Sequence, residues 1–154
     1  MKVSFKIWLE KDSKKYYFSN YKMLKGFNKI GTKTYFLSTV NGQLKTGWQV
    51  LNGNLFYLND DGTVIDDSWQ TIDNKWYYFK NHYAYRNLQS IDDKYYYFNA
   101  TNGYLETGWI TASSGKKYYS ESDGVLLKGE KVINGGTYYF DENNFQMFTG
   151  FMTV

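Results

Sequence analysis

Trp69 and Trp76 stand seven positions apart in SWQTIDNKWYYFKN, residues 68–81, and Trp76 runs directly into Tyr77, Tyr78 and Phe79. Rings in this pattern can do two kinds of chemistry at a surface. Their electron-rich faces attract a quaternary ammonium, by about 0.5–1 kcal/mol when exposed and about 2 kcal/mol when water is excluded. They also offer flat apolar ground to the C–H face of a sugar, whose hydroxyls then meet polar groups at the rim. Residues for bond-breaking chemistry are scarcer. Asp60-Asp61, Asp66-Asp67 and Asp92-Asp93 are paired carboxylates of the type used in acid–base catalysis, but they fall in or beside expected turns, where solvated Asp is usual. No catalytic residue is assigned. His82 is the single histidine and cysteine is absent, so no metal ligand, thiolate or cofactor is assigned either. His82, in a unit that lacks its turn glycine, reads as a loop residue.

The composition explains why rings dominate. Of 154 residues, 21% are aromatic (17 Tyr, 11 Phe, 5 Trp), the mean hydropathy is −0.62, and the formal charge is +3. A core short of aliphatics must bury rings with polar tips. The charge is too mild for a nucleic-acid binder. Lys14-Lys15-Tyr16-Tyr17 and Lys116-Lys117-Tyr118 read instead as solvated lysines flanking hairpins. No apolar run is long enough to span a membrane, and the start lacks the apolar stretch of a secretion signal.

The rings recur with a period. A leading position falls at Trp8, Phe27, Trp48, Trp69, Leu88, Trp109, Glu130 and Phe151, spaced by 19 or 21 residues. Each is followed by a turn and an aromatic triplet of the Tyr77-Tyr78-Phe79 kind, and in most units by a second turn such as Asp61-Gly62 or Asp123-Gly124. Aromatic residues favour strands, and Asn-Gly between apolar runs marks a two-residue hairpin. Asn52-Gly53 and Asn134-Gly135 fit best, Asp73-Asn74 and Asp92-Asp93 less well, and Ser113-Ser114-Gly115 fits a three-residue loop that keeps Trp109 opposite Tyr119.

The expected fold is all-β: a β-solenoid of stacked two-stranded hairpins, about 20 residues per repeat, because a lone hairpin is marginal in water. The whole chain, 1–154, reads as one array with units near 5–26, 27–47, 48–67, 68–87, 88–108, 109–129 and 130–149, and a partial unit at 150–154. Ending mid-unit, it reads as a fragment of a longer array or one that followed another domain. Alternation around Asp73-Asn74 places Trp69, Thr71, Trp76 and Tyr78 on one face, as two ring walls about one ring-width apart. Gln70, Ile72, Tyr77 and Phe79 take the other face, where packing against neighbouring hairpins is expected.

Thr46-Gly47-Trp48, Thr107-Gly108-Trp109, Trp76-Tyr77-Tyr78-Phe79, Gly115-Lys116-Lys117-Tyr118-Tyr119 and Asp61-Gly62-Thr63-Val64 resemble the cell-wall-binding repeats of Gram-positive bacteria and their phages. That group includes choline-binding modules, glucan-binding repeats of glucansucrases and repetitive oligopeptides of clostridial toxins. The resemblance spans nearly the whole chain. It implies a non-catalytic module at the bacterial surface or outside the cell, attached to a cell-surface polysaccharide or choline-bearing teichoic acid. The terminal repeats could also pair two copies. In that family a choline cage resembles two Trp of one hairpin plus a Tyr of the next, here Trp69, Trp76 and Tyr96. Further ligand contacts are expected at Trp48, Tyr77, Trp109 and Tyr118. Elsewhere Lys15, Leu55, Tyr95, Lys117 and Thr137 replace Trp76, a pattern closer to the carbohydrate-binding repeats. A spacer or assembly scaffold, its grooves filled by its own side chains, is the competing expectation.

Overall fold

The computed structural model describes residues 5–149, so the expected partial unit at 150–154 lies outside the described residues. Every regular element among them is a strand. The strands form hairpins in chain order, from Lys6–Lys11 with Lys14–Ser19 to Gly129–Ile133 with Gly136–Phe140.

Turn chemistry fixes each register. Asn52-Gly53, Asp73-Asn74, Asp92-Asp93 and Asn134-Gly135 carry positive φ at both residues, the signature of the type I′ turn that matches strand twist. Asp12-Ser13 does the same at 52° and 60°, a turn that its residue types do not advertise. The leading residues therefore face the triplets throughout: Trp8 opposite Tyr17, Phe27 opposite Phe36, Trp48 opposite Tyr57, Leu88 opposite Tyr97 and Glu130 opposite Tyr139. Trp109 lies opposite Tyr119 despite the longer loop.

Each repeat also has a third extended segment that the periodicity does not reveal. It is a short strand at Lys22–Met23 and Tyr83–Ala84, and a bridging residue at Leu44, Val64, Leu105, Leu126 and Met147. These five residues bond to the second strand of the repeat before. The N–H groups of Leu44, Val64 and Leu105 donate to the carbonyls of Lys15, Thr34 and Trp76 at 2.8, 2.8 and 2.7 Å. Those of Leu126 and Met147 donate to Tyr95 and Lys117 at 2.8 and 2.7 Å.

The chain divides into two compact units, Met1–Ser68 with Phe79–Ala84, and Trp69–Tyr78 with Tyr85–Val154. The first has a core of Phe36, Phe56 and Leu58, with Phe27, Val64 and Tyr83 against it. The second has two clusters, Ile91–Tyr96–Phe98 and Tyr97–Ile110–Tyr118–Leu126–Phe145. Both units bury the same strand position in successive repeats: Leu37, Leu58, Phe79, Phe98, Ser120 and Phe140 are all at most 1% exposed. Ser120 is the odd member, and its Oγ meets no hydrogen-bond partner among the described residues. A buried hydroxyl left unpaired costs about 1–3 kcal/mol. Ser120→Ala is therefore expected to raise the urea midpoint, by about 1 kcal/mol of stability; an equal loss would show that the hydroxyl is satisfied.

Candidate functional site

The hairpin of Ser68–Ile72 and Lys75–Lys80 sorts its rings by face. Ile72, Tyr77 and Phe79 are buried, whereas Trp76 is 52% exposed and Trp69 half-buried. The two tryptophans do not stand as parallel walls. Their centroids are 6.5 Å apart and their planes meet at 79°, forming a corner. Trp69 is wedged at its back, edge-on to Tyr78 at 5.2 Å and to Tyr96 at 5.0 Å, and tilted over Phe98 at 5.7 Å. The Leu105 N–H bond to the Trp76 carbonyl brings the Leu105 side chain to the floor.

The groove so formed holds about 680 Å³, with Lys75 and Asp123 at its rim. The Lys75 ammonium lies 4.2 Å from the centroid of the Tyr104 ring. Asp123 is held by its own turn, where the Val125 N–H donates to its Oδ1 at 2.9 Å. Burial, then the negative charges of Asp123 and Asp92, push the Tyr96 phenol above its usual pKa. The site thus combines exposed ring faces, a phenol that keeps its proton and a nearby carboxylate.

A choline-binding repeat model matches residues 106–151, and a cell wall binding repeat model matches 46–63, 67–81 and 88–105. The chain belongs to the cell-wall-binding repeat family. It is 31% identical over 107 residues to glucosyltransferase-S of Streptococcus mutans, covering 70% of this chain and 6% of that protein. Among solved structures it is similar to CbpJ from Streptococcus pneumoniae (TM-score 0.78, 25% identity, 98% of this chain and 60% of that one). Choline binding protein F from Streptococcus pneumoniae gives a TM-score of 0.78 at 28% identity, over 91% of this chain and 50% of that one.

The same groove plan recurs across this cell-wall-binding repeat chain. Trp8 is wedged edge-on between Tyr17 at 5.0 Å and Tyr35 at 5.1 Å, and Trp109 between Tyr119 at 5.0 Å and Tyr138 at 4.8 Å. Lys15 and Lys117 stand where Trp76 stands in the central groove. The Trp8 groove, about 410 Å³, is lined by Glu10, Lys15 and Asp61 as well as its rings, and was not singled out by the sequence reading. Its signal is present all the same: Trp8 leads its repeat and Tyr35 occupies the position of Tyr96.

The other expected contacts divide. Trp109 is 44% exposed, and Trp48, half-buried, lies edge-on to Tyr57 at 5.1 Å. Tyr77, Tyr118 and Tyr96 are all buried, at 6%, 4% and 9% exposed; Tyr96 nevertheless lines the central groove, whereas Tyr118 is stacked on Tyr97 at 5.4 Å within a core cluster.

The paired carboxylates are engaged structurally. Hydrogen bonds from the Thr63 hydroxyl and amide, with Lys33 3.5 Å away, hold Asp61 below the ordinary carboxylate pKa. Bonds from Lys80 and the Asn81 amide do the same for Asp67. Asp92-Asp93 is a hairpin turn. Carboxylates biased toward ionisation are poor proton donors near neutral pH.

Proposed function

We propose that this chain is a non-catalytic attachment module, its hairpins stacked as a solenoid, that holds a larger protein to a surface polymer outside the cell. The Trp69–Trp76–Tyr96 groove takes the quaternary ammonium of a choline-bearing polymer. One observation carries this reading: an open aromatic corner with a carboxylate on its rim and, among the described residues of its unit, no ring filling it. Ring faces favour a cation, Asp123 adds a carboxylate at the rim, and the rim's own ammonium, Lys75, is set over the Tyr104 ring. The third-segment bonds from each repeat to the one before support the solenoid, since they join successive hairpins in both units. The similarity to choline binding protein F supports the choline reading, and a low-affinity site suits a repetitive ligand engaged at several points.

A second reading, carbohydrate, is favoured by the Trp8 groove. Lys15 stands there in place of the Trp76 ring, so a cation has one ring face fewer, while Glu10, Lys15 and Asp61 offer donors and acceptors to hydroxyls beside the Trp8 ring. The similarity to glucosyltransferase-S points the same way. Titrating choline chloride and α-glucan oligomers separately, followed by tryptophan fluorescence, distinguishes the two. Saturable quenching by choline is the expected result. Silence toward choline, glucan oligomers and purified choline-bearing cell walls would leave the spacer reading standing.

A further inference from the structure

Four of the grooves lie wholly within one unit, together with the turn that follows them, and they differ at one turn position. After the Trp8 groove this position is Gly62, with φ 84°, and after the Trp69 groove it is Gly124, with φ 82°. A Cβ at Gly62 would come 2.7 Å from Leu44, and one at Gly124 2.6 Å from Leu105; both leucines line their grooves. A side chain at this position therefore points toward the groove. Both grooves with glycine are open.

The other two grooves have a ring there instead. After the Phe27 groove, built from Phe27, Phe36, Phe56 and Val64, the position is His82 at φ 76°. Its imidazole stacks on Phe27 at 4.7 Å and 27°. It is held there by Asp66, whose Oδ1 accepts the His82 backbone N–H at 2.7 Å and whose Oδ2 lies 2.6 Å from Nδ1. The space left, about 300 Å³, is lined by Thr34, Thr63, Asp66 and His82 itself rather than by the phenylalanines. After the groove of Leu88, Tyr95, Tyr118 and Leu126 the position is Phe145 at φ 62°. Its ring lies 4.4 Å from that of Tyr95 and is 7% exposed.

A bulky residue with positive φ is uncommon, because the left-handed region costs roughly 1–2 kcal/mol for an L residue. At both places the strained residue carries a ring and delivers it to the groove. We infer that this turn position decides which grooves of the chain take a ligand: Gly62 and Gly124 leave two sites open, whereas His82 and Phe145 fill the other two with the chain's own rings. The Trp8 and Trp69 grooves are then the binding sites of this set, and His82 and Phe145 are specificity-determining residues that never touch the ligand.

The test moves the ring. Gly124→Phe copies the native Phe145–Leu126 pair onto Leu105, and Phe145→Gly removes the native plug. Both are made in protein labelled with 5-fluorotryptophan and 3-fluorotyrosine, with resonances assigned by single substitutions and folding checked by circular dichroism. In Gly124→Phe, the solvent-isotope shifts of Trp69 and Trp76 in ²H₂O are expected to shrink, and choline affinity there to fall about tenfold or more. In Phe145→Gly, the solvent-isotope shift of Tyr95, which is 36% exposed in the wild type, is expected to increase. Wild-type solvent exposure of Trp69 and Trp76 in a folded Gly124→Phe would overturn the inference. So would an unchanged Tyr95 in Phe145→Gly, which decides the matter alone if Gly124→Phe does not fold. The choline arm rests on the cation reading above, but the solvent arm does not. If choline leaves the wild type unmoved, that reading fails while the plug is still judged.

Discussion

Trp76→Ala is expected to weaken quaternary ammonium binding about thirtyfold while leaving the unfolding midpoint close to wild type. The affinity figure follows from about 2 kcal/mol for a desolvated cation on a ring face. The small stability change follows from exposure: Trp76 is 52% exposed, and its ring meets Trp69 only as the far side of a corner, 6.5 Å between centroids. Trp69→Ala should behave differently. Its ring backs onto Tyr78, Tyr96 and Phe98, so it should lose binding and also about 2–3 kcal/mol of stability, below the range for a fully buried aromatic. Trp76→Phe, which keeps a smaller ring face, should recover part of the affinity. Choline titrations by fluorescence, paired with urea unfolding of each variant, separate the two roles. Wild-type affinity in Trp76→Ala would remove the cation reading. A stability loss equal to that of Trp69→Ala would make Trp76 a packing residue and favour the spacer.

That contrast was partly legible in the sequence. Strand alternation around Asp73-Asn74 is enough to put Trp69 and Trp76 on one face and Ile72, Tyr77 and Phe79 on the other, and burial follows that division. The perpendicular setting of the two indoles was not legible, because it depends on Tyr96 and Phe98 pressing Trp69 from the next repeat. The first hairpin turn was missed for a related reason. Asp12-Ser13 adopts positive φ with no glycine or asparagine to mark it, its geometry being imposed by the pairing of Lys11 with Lys14. The third extended segments were hidden too. Their bonds are backbone to backbone, so Leu44, Val64, Leu105, Leu126 and Met147 need share only an apolar side chain.

Tyr118 departs from the pattern of its repeat. It sits one residue before the hairpin partner of its leading Trp, as Tyr96 does before Tyr97, yet its ring is stacked on Tyr97 and walled in by Phe145. The difference is made about one repeat further along the chain, where Phe145 stands in place of a glycine. His82 follows the same logic. The missing turn glycine marks its unit, but only the stacking on Phe27 shows what the substituted side chain does. Position within the repeat determines where a ring is placed, and the occupant of a neighbouring turn determines whether it lines an open groove.

Phe98→Ala should be among the most damaging single substitutions in the second unit, costing about 3–5 kcal/mol. Phe98 is fully buried among Ile91 and Tyr96, with Trp69, Tyr85 and Leu105 packed on the cluster. A loss of that size is a large share of the roughly 5–15 kcal/mol that holds a domain folded. It should also lower choline affinity, although Phe98 does not line the groove, because Trp69 and Tyr96 lose the ring that backs the corner. Phe98→Leu separates the two consequences. Leu37 and Leu58 occupy the same repeat position with no exposed surface, so leucine can fill it at a cost of less than about 1.5 kcal/mol. A folded Phe98→Leu should then keep most of its stability while binding choline more weakly than wild type, since the aliphatic chain supports Trp69 less firmly than a tilted ring. Urea unfolding and choline titration on both variants check this. A loss below about 1 kcal/mol in Phe98→Ala would mean that the cluster collapses around the missing ring. Unchanged affinity in both variants would mean that Trp69 is held by its hairpin alone.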